Sequence, residues 1–202
     1  TSRVRYVGPW RKQVERSALA LKLLTHAESG AIIAAPTTSL PETLGGSRNW
    51  DYRFVWLRDA AFTLAALERV GHAAEADQFM RFLKRVTRHE GGGHLQIMYG
   101  VDGQRDLVER QLDHLAGYAG SKPVRVGNGA ADQLQIDVYG EVLETAEMWR
   151  RNHPMTDGTW RVLRPLVDWV SRNWHRPDSS IWEVRGEVRH YTYSKLMSWV
   201  AL

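Results

Sequence analysis

The chain of 202 residues contains no cysteine. That excludes disulfides and thiolate catalysis and leaves the redox compartment open. No apolar run approaches the roughly 20 residues of a membrane-spanning helix, so no membrane partner is expected. The first ten residues, TSRVRYVGPW, hold no signal-peptide core. Cytoplasmic placement is the default expectation, with any targeting segment lying outside this sequence. A segregated basic face is missing too. The net charge is +4, yet Arg and Lys alternate with acids, as in Arg105-Asp106 and Glu109-Arg110. Nucleic-acid binders gather such charge on one face, so a solvated surface is expected here and no nucleic-acid partner. No internal repeat of fixed period is present either.

What is there fits one folded domain with a sizeable core: 43% hydrophobic and 25% charged residues are ordinary for a globular protein. Nine Trp exceed what a core requires, and flat aromatics also line pockets that stack sugars or nucleobases.

The hydrophobic spacing is predominantly helical. Arg11 to Leu24 carries Val14, Ala18 and Leu21; a short β-like stretch, Ala31 to Ala35, ends at Pro36. Residues 37–57 are rich in turn formers and aromatics, too many for a mere connector. Arg58 to Val70 reads as a helix stopped by Gly71, and Glu75 to Val86 as another, broken by the glycines at 91–93. Gly100 to Gly129 shows little periodicity. Asp132 is placed to cap a helix running to about Asn152 with Leu134, Val138, Val142 and Trp149 on one stripe. Thr156 or Asp157 starts the next, where Trp160, Leu163, Val167, Val170 and Trp174 recur, and a last helix begins near Tyr193. Helices in consecutive pairs predict stacked helical hairpins rather than a βαβ sheet.

Four segments carry candidate chemistry. In Ile181-Trp182-Glu183-Val184-Arg185-Gly186, one carboxylate stands between a tryptophan and a valine. An apolar pocket would raise its pKa, as a general acid requires; pairing with Arg185 or Arg189 would lower it instead. In Trp50 to Asp59, Arg58 and Asp59 offer forked donors and paired acceptors for vicinal hydroxyls, beside the flat surfaces of Tyr52 and Trp56. The bland alternative is an Asp favouring the helix dipole with Arg58 in a surface ion pair. Gly127-Asn128-Gly129 is a glycine turn followed by the Asp132 cap; Asp132 would repel a pyrophosphate, so no dinucleotide cofactor is expected. His89-Glu90-Gly91-Gly92-Gly93-His94 has the wrong spacing for a zinc motif, and no metal is expected there.

Taken in order, Ala35 to Pro41, Asn49 to Asp59, Gln96 to Gly100, Asp132 to Asp137, Ile181 to Gly186 and Tyr193-Ser194-Lys195 resemble the bacterial glycoside hydrolases of family 15, the glucoamylase, glucodextranase and trehalase group. The resemblance covers nearly the whole chain. It implies an all-α fold, about half of an (α/α)6 barrel with a few short β segments. It also implies exo-acting hydrolysis of α-glucosidic bonds from the non-reducing end with inversion, without a cofactor. By motif, Glu183 matches the general acid, Arg58 and Asp59 the pair that grips the terminal glucose, and Tyr52, Trp56 and Trp182 aromatic or pocket residues around it. Val184 departs from the fungal members, which carry a second acid there. The resemblance places the general base beyond Leu202, and Asp59 and Asp137 have simpler explanations. Residues 1–202 are therefore expected to be an internal, N-terminal portion of a larger catalytic domain, inactive alone, with an α-glucoside or α-glucan substrate. The alternative is a non-catalytic carbohydrate-binding or helical scaffold fragment, which predicts a solvated Glu183 and no concave pocket beside Arg58.

Overall fold

The computed structural model describes residues 4–88 and 93–202. Among them the apolar spacing forms six α-helices: α1 (Arg11–Leu23), α2 (Leu57–Arg69), α3 (Ala74–Thr87), α4 (Asp137–Arg150), α5 (Asp157–Asn173) and α6 (Thr192–Val200). Strand β1 (Val55–Trp56) pairs antiparallel with β2 (Met98–Tyr99), and β3 (Arg110–Gln111) with β4 (Arg125–Val126). Helices α2, α4 and α6 stand in a row with α4 in the middle, and α1, α3 and α5 pack against that row. This alternation is half of an (α/α)6 barrel, as the resemblance implies, and its helices are those that the spacing predicts as stacked hairpins.

Helix α4 is buried on both sides, through Val138, Tyr139, Val142 and Ala146. Its neighbour α6 comes so close that a Cβ on Gly140 would lie 2.4 Å from the Met197 carbonyl oxygen. Phe79, Phe82 and Leu83 of α3 join Leu57 and Leu64 of α2 and Leu163, Leu166 and Val170 of α5 in one core. Each such side chain contributes about 1.5–3 kcal/mol by leaving water.

The helix ends follow local chemistry. Gly71, at φ 95°, closes α2: its N–H bonds the Glu68 carbonyl at 2.9 Å and the His72 N–H bonds that of Leu67 at 2.8 Å. Thr156 caps α5, its hydroxyl accepting the Thr159 N–H at 3.2 Å.

Three expectations need correction. Asp132 is exposed and caps nothing, because residues 128–133 form turns and α4 starts only at Asp137. The Ile136 N–H at that start is taken by the Asp178 carboxylate at 2.9 Å, a partner 42 positions away that helix-capping rules cannot see. Ala31 to Ala35 forms no regular strand: it makes an isolated bridge, Thr25 to Ile32, and backbone bonds from Ala34 and Ala35 to the Phe54 and Tyr52 carbonyls, both at 2.9 Å. Trp160 and Trp174 of the α5 stripe face solvent about half exposed, while Leu166 is buried in the core. The glycine-break expectation for 91–93 falls mainly on residues outside those described.

Candidate active site

Residues 37–57 are held by buried polar groups rather than by regular structure. The Asp51 carboxylate takes both arms of the Arg53 fork at 2.8 Å, and the Gly127 N–H at 3.2 Å. Arg125 reaches back to the Ser47 and Asn49 carbonyls at 2.9 and 3.2 Å. The segment runs into β1 and then directly into α2, which places Trp56 at the strand end and Arg58 in the first helical turn.

Glu183 arrives from a loop between α5 and α6 with φ of 53°, and Ser180 in the same loop has φ of 62°. Left-handed backbone at a non-glycine residue costs about 1–2 kcal/mol and persists where surrounding bonds over-determine it. Here the Glu183 and Val184 N–H groups bond the Ser180 and Ser179 carbonyls, both at 3.1 Å. Gln133 Nε2 donates to the Glu183 and Val184 carbonyls at 3.4 and 3.3 Å.

The result is a cleft of about 510 Å³ whose walls include Tyr52, Arg58, Trp182 and Glu183, a size suited to a small ligand. The Trp56 indole N–H donates to Glu183 Oε1 at 2.6 Å. Arg58 donates to the same oxygen at 3.4 Å, to the Ile181 carbonyl at 3.1 Å, and pairs with Asp59 at 3.0 Å. Burial pushes the Glu183 carboxyl above the usual carboxylate range, against the opposing pull of the Arg58 cation and the Trp56 hydrogen bond.

Further in lies a second group of acids. Asp137 opens α4, fully buried, with both carboxylate oxygens lacking a hydrogen-bond partner; burial raises it to about 6, opposed by Arg58. Glu141, one turn on, accepts the Tyr193 hydroxyl from α6, and burial raises it to about 7. The first turns of α2, α4 and α6 thus meet around the Arg58 charge.

Tyr52, Arg58, Trp182 and Glu183 therefore converge. Trp56 is 2% exposed and offers no open face; it reaches the site only through its indole N–H. Asp59 is bound to Arg58 from the side and does not line the cleft. The Arg58 side chain is 14% exposed, which removes the surface ion-pair alternative. The apolar setting of Glu183 is not made by its sequence neighbours, since Trp182 is 80% exposed. Pairing of Glu183 with Arg185 does not occur: Arg185 binds Glu109 at 2.7 Å.

Sequence reasoning missed Trp50, Arg48, Glu42, Asn128 and Arg185 on the cleft wall, and Gln133 behind it. Of these, Trp50, Asn128, Gln133 and Arg185 stood inside motifs singled out from the sequence, whereas Arg48 and Glu42 did not. The Gly127 turn sits at φ 78° behind β4 and precedes no helix start. Of His89 to His94, residues 89–92 lie outside those described. Among the described residues, no group of three or more His, Asp or Glu side chains is placed to hold a metal ion.

A family model described as Glycosyl hydrolases family 15 matches residues 8–202. A trehalase of Mycolicibacterium smegmatis is 49% identical over 96% of this chain and 30% of its own length. A trehalase of Thermoplasma acidophilum is 44% identical over 97% of this chain and 33% of its own. The chain thus spans about a third of the curated relatives it matches. A glycosidase solved in complex with glucose superposes with a TM-score of 0.61 at 23% identity, covering 92% of this chain and 47% of that one. That last likeness is one of fold.

Proposed function

Because this chain belongs to glycosyl hydrolase family 15, we propose that it supplies the acid half of an inverting, exo-acting α-glucoside hydrolase. In this reading Glu183 is the general acid. With its pKa raised by burial, it gives its proton to the glycosidic oxygen as the bond to the anomeric carbon breaks. Water attacks that carbon from the opposite face and loses its proton to a second carboxylate. Arg58 grips the terminal glucose and is itself held by Asp59 from the side, with Tyr52 and Trp182 against the ring and Trp56 fixing the acid.

One observation carries the proposal: Glu183 is partly buried in a concave cleft, bonded to Trp56 and adjacent to Arg58. The scaffold alternative required a solvated Glu183 and no pocket beside Arg58, and both requirements fail. An inverting pair stands roughly 6.5–9.5 Å apart across a water. Among the described residues, Asp59 is committed to Arg58 and Asp137 is sealed from solvent. The family resemblance assigns the general base to sequence outside these 202 residues, and the chain alone is expected to be inactive. The exposed Leu196, Trp199 and Val200 of α6, and Phe62 of α2, support that reading: they are large apolar side chains that further helices of the barrel would cover.

Trehalose is the favoured substrate, since the relatives at 49% and 44% identity are trehalases. A cytoplasmic location belongs to the same proposal and is checked by cell fractionation. The decisive measurement is proton NMR of the nascent products of the full-length protein on trehalose and on maltose. Inversion of trehalose releases one α-glucose and one β-glucose per turnover; two α-glucose molecules would sink the mechanism. Preference for maltose would overturn the substrate assignment alone.

A further inference from the structure

Arg185 lies two residues beyond the proposed acid and lines the same cleft, so it is the obvious cation to neutralise Glu183. Its position is decided elsewhere. Both of its terminal nitrogens go to Glu109, at 3.3 Å to Oε1 and 2.7 Å to Oε2. The guanidinium stacks on Trp50, 4.1 Å from the ring centroid. Arg125 covers Trp50 as well, at 4.5 Å, and pairs with Glu109 at 3.3 Å. The Gly129 N–H completes the set, donating to Glu109 Oε2 at 3.1 Å. The Glu109 side chain is 19% exposed and saturated by two cations and one amide.

We propose that Glu109 is a positioning residue for the acid: it clamps Arg185 onto Trp50, away from the Glu183 carboxylate, and ties the acid-bearing loop to the β3–β4 ribbon. The proposal rests on Glu183 being the general acid. Its logic is one of competing charges. Glu183 is already faced by Arg58 and Asp59 of α2, by Tyr52 and Trp56 of the preceding segment and by Asp137 of α4, with Arg48 and Glu42 on the cleft wall. Even with that one cation beside it, burial keeps the acid above the usual carboxylate range. A second within 4–6 Å would favour the ionised form by about one pH unit or more.

The test uses the full-length protein with trehalose, following kcat/KM against pH. The alkaline limb of that profile reports deprotonation of the acid in the free enzyme. Glu109→Gln keeps the shape of the side chain but releases Arg185; the limb should move down by about one pH unit. The double variant Glu109→Gln/Arg185→Gln should return the limb to its original position whatever its turnover. A limb unmoved in Glu109→Gln, or unmoved again in the double variant, overturns the proposal. Arg185→Gln alone reads the clamp without disturbing Glu109. The limb should stay in place, because the cation already sits elsewhere; an upward shift would show that Arg185 does act on Glu183 and would refute it.

A second substrate separates acid chemistry from folding. Fluoride leaves with little need of a proton, so α-glucosyl fluoride should be hydrolysed by Glu109→Gln nearly as well as by the parent, while trehalose turnover at neutral pH falls about tenfold. An equal loss on both substrates would mark Glu109 as structural only. Glu183→Gln is run alongside: if it keeps its trehalose turnover, the acid assignment itself falls, independently of the clamp.

Discussion

The indole N–H of Trp56 points at Glu183 Oε1 across 2.6 Å, joining the end of β1 to a loop 127 residues later. That bond orients a carboxylate whose backbone is left-handed, and it does so from a side chain packed against Ile97 and Met98. Because the donor favours the ionised acid, Trp56→Phe should shift the alkaline limb of kcat/KM to higher pH. Loss of orientation should lower kcat about tenfold, the equivalent of one hydrogen bond to a charged group. A downward limb shift in the full-length protein would contradict the donor role.

Glu183→Gln in the full-length protein should reduce turnover by roughly 10²–10⁴-fold or more, with sugar binding retained. Near-normal turnover, measured by glucose release, would remove Glu183 from the mechanism.

Backbone strain at the same residue has its own signature. Glu183 has φ of 53°, which alanine tolerates poorly and glycine freely. Glu183→Gly should therefore be about 1 kcal/mol more stable than Glu183→Ala, as read by denaturant unfolding. Equal stabilities would argue that the loop relaxes when the acid is removed.

Arg58 holds three partners at once: Asp59, the Ile181 carbonyl and Glu183. Arg58→Lys keeps a charge but loses the fork. It should lower kcat/KM by roughly 10–100-fold, the range of one charged hydrogen bond. An unchanged value would reduce Arg58 to a structural ion pair.

The buried acids predict an unusual pH dependence of stability. Asp137 rises from 3.8 to about 6 and Glu141 from 4.5 to about 7 on folding, both mainly through burial. A carboxyl raised in the folded state adds stability below its unfolded pKa, and that contribution disappears as pH rises through the folded value. The protein should therefore lose stability between about pH 4 and 7. Asp137→Asn should flatten its share of that slope, about 3 kcal/mol across the window. Thermal melts over this range would show it; an unchanged slope would mean that Asp137 is solvated.

Much of the fold was legible because helix patterns are local. The α2 stop at Gly71, the α3 apolar face and the Thr156 cap each depend on residues within a few positions of one another. The start of α4 was not legible, because its first free N–H is satisfied by Asp178, 42 residues away. The site divides in the same way. Arg58, Tyr52 and Glu183 were visible as chemical types within ordered motifs, whereas Gln133, Glu109 and Trp50 act through partners that no short motif contains.

The sequence by itself determined the helical hairpins, through residue type and short-range spacing, and singled out Glu183 through its place in the ordered motifs that carry the family resemblance. Only the tertiary structure decided what surrounds that carboxylate. Its hydrogen-bond donor is Trp56, 127 residues away, and its charge partner is Arg58 rather than Arg185. Burial and ion pairing are set by which distant segments meet, and Glu109 wins Arg185 because the fold brings it within 2.7 Å.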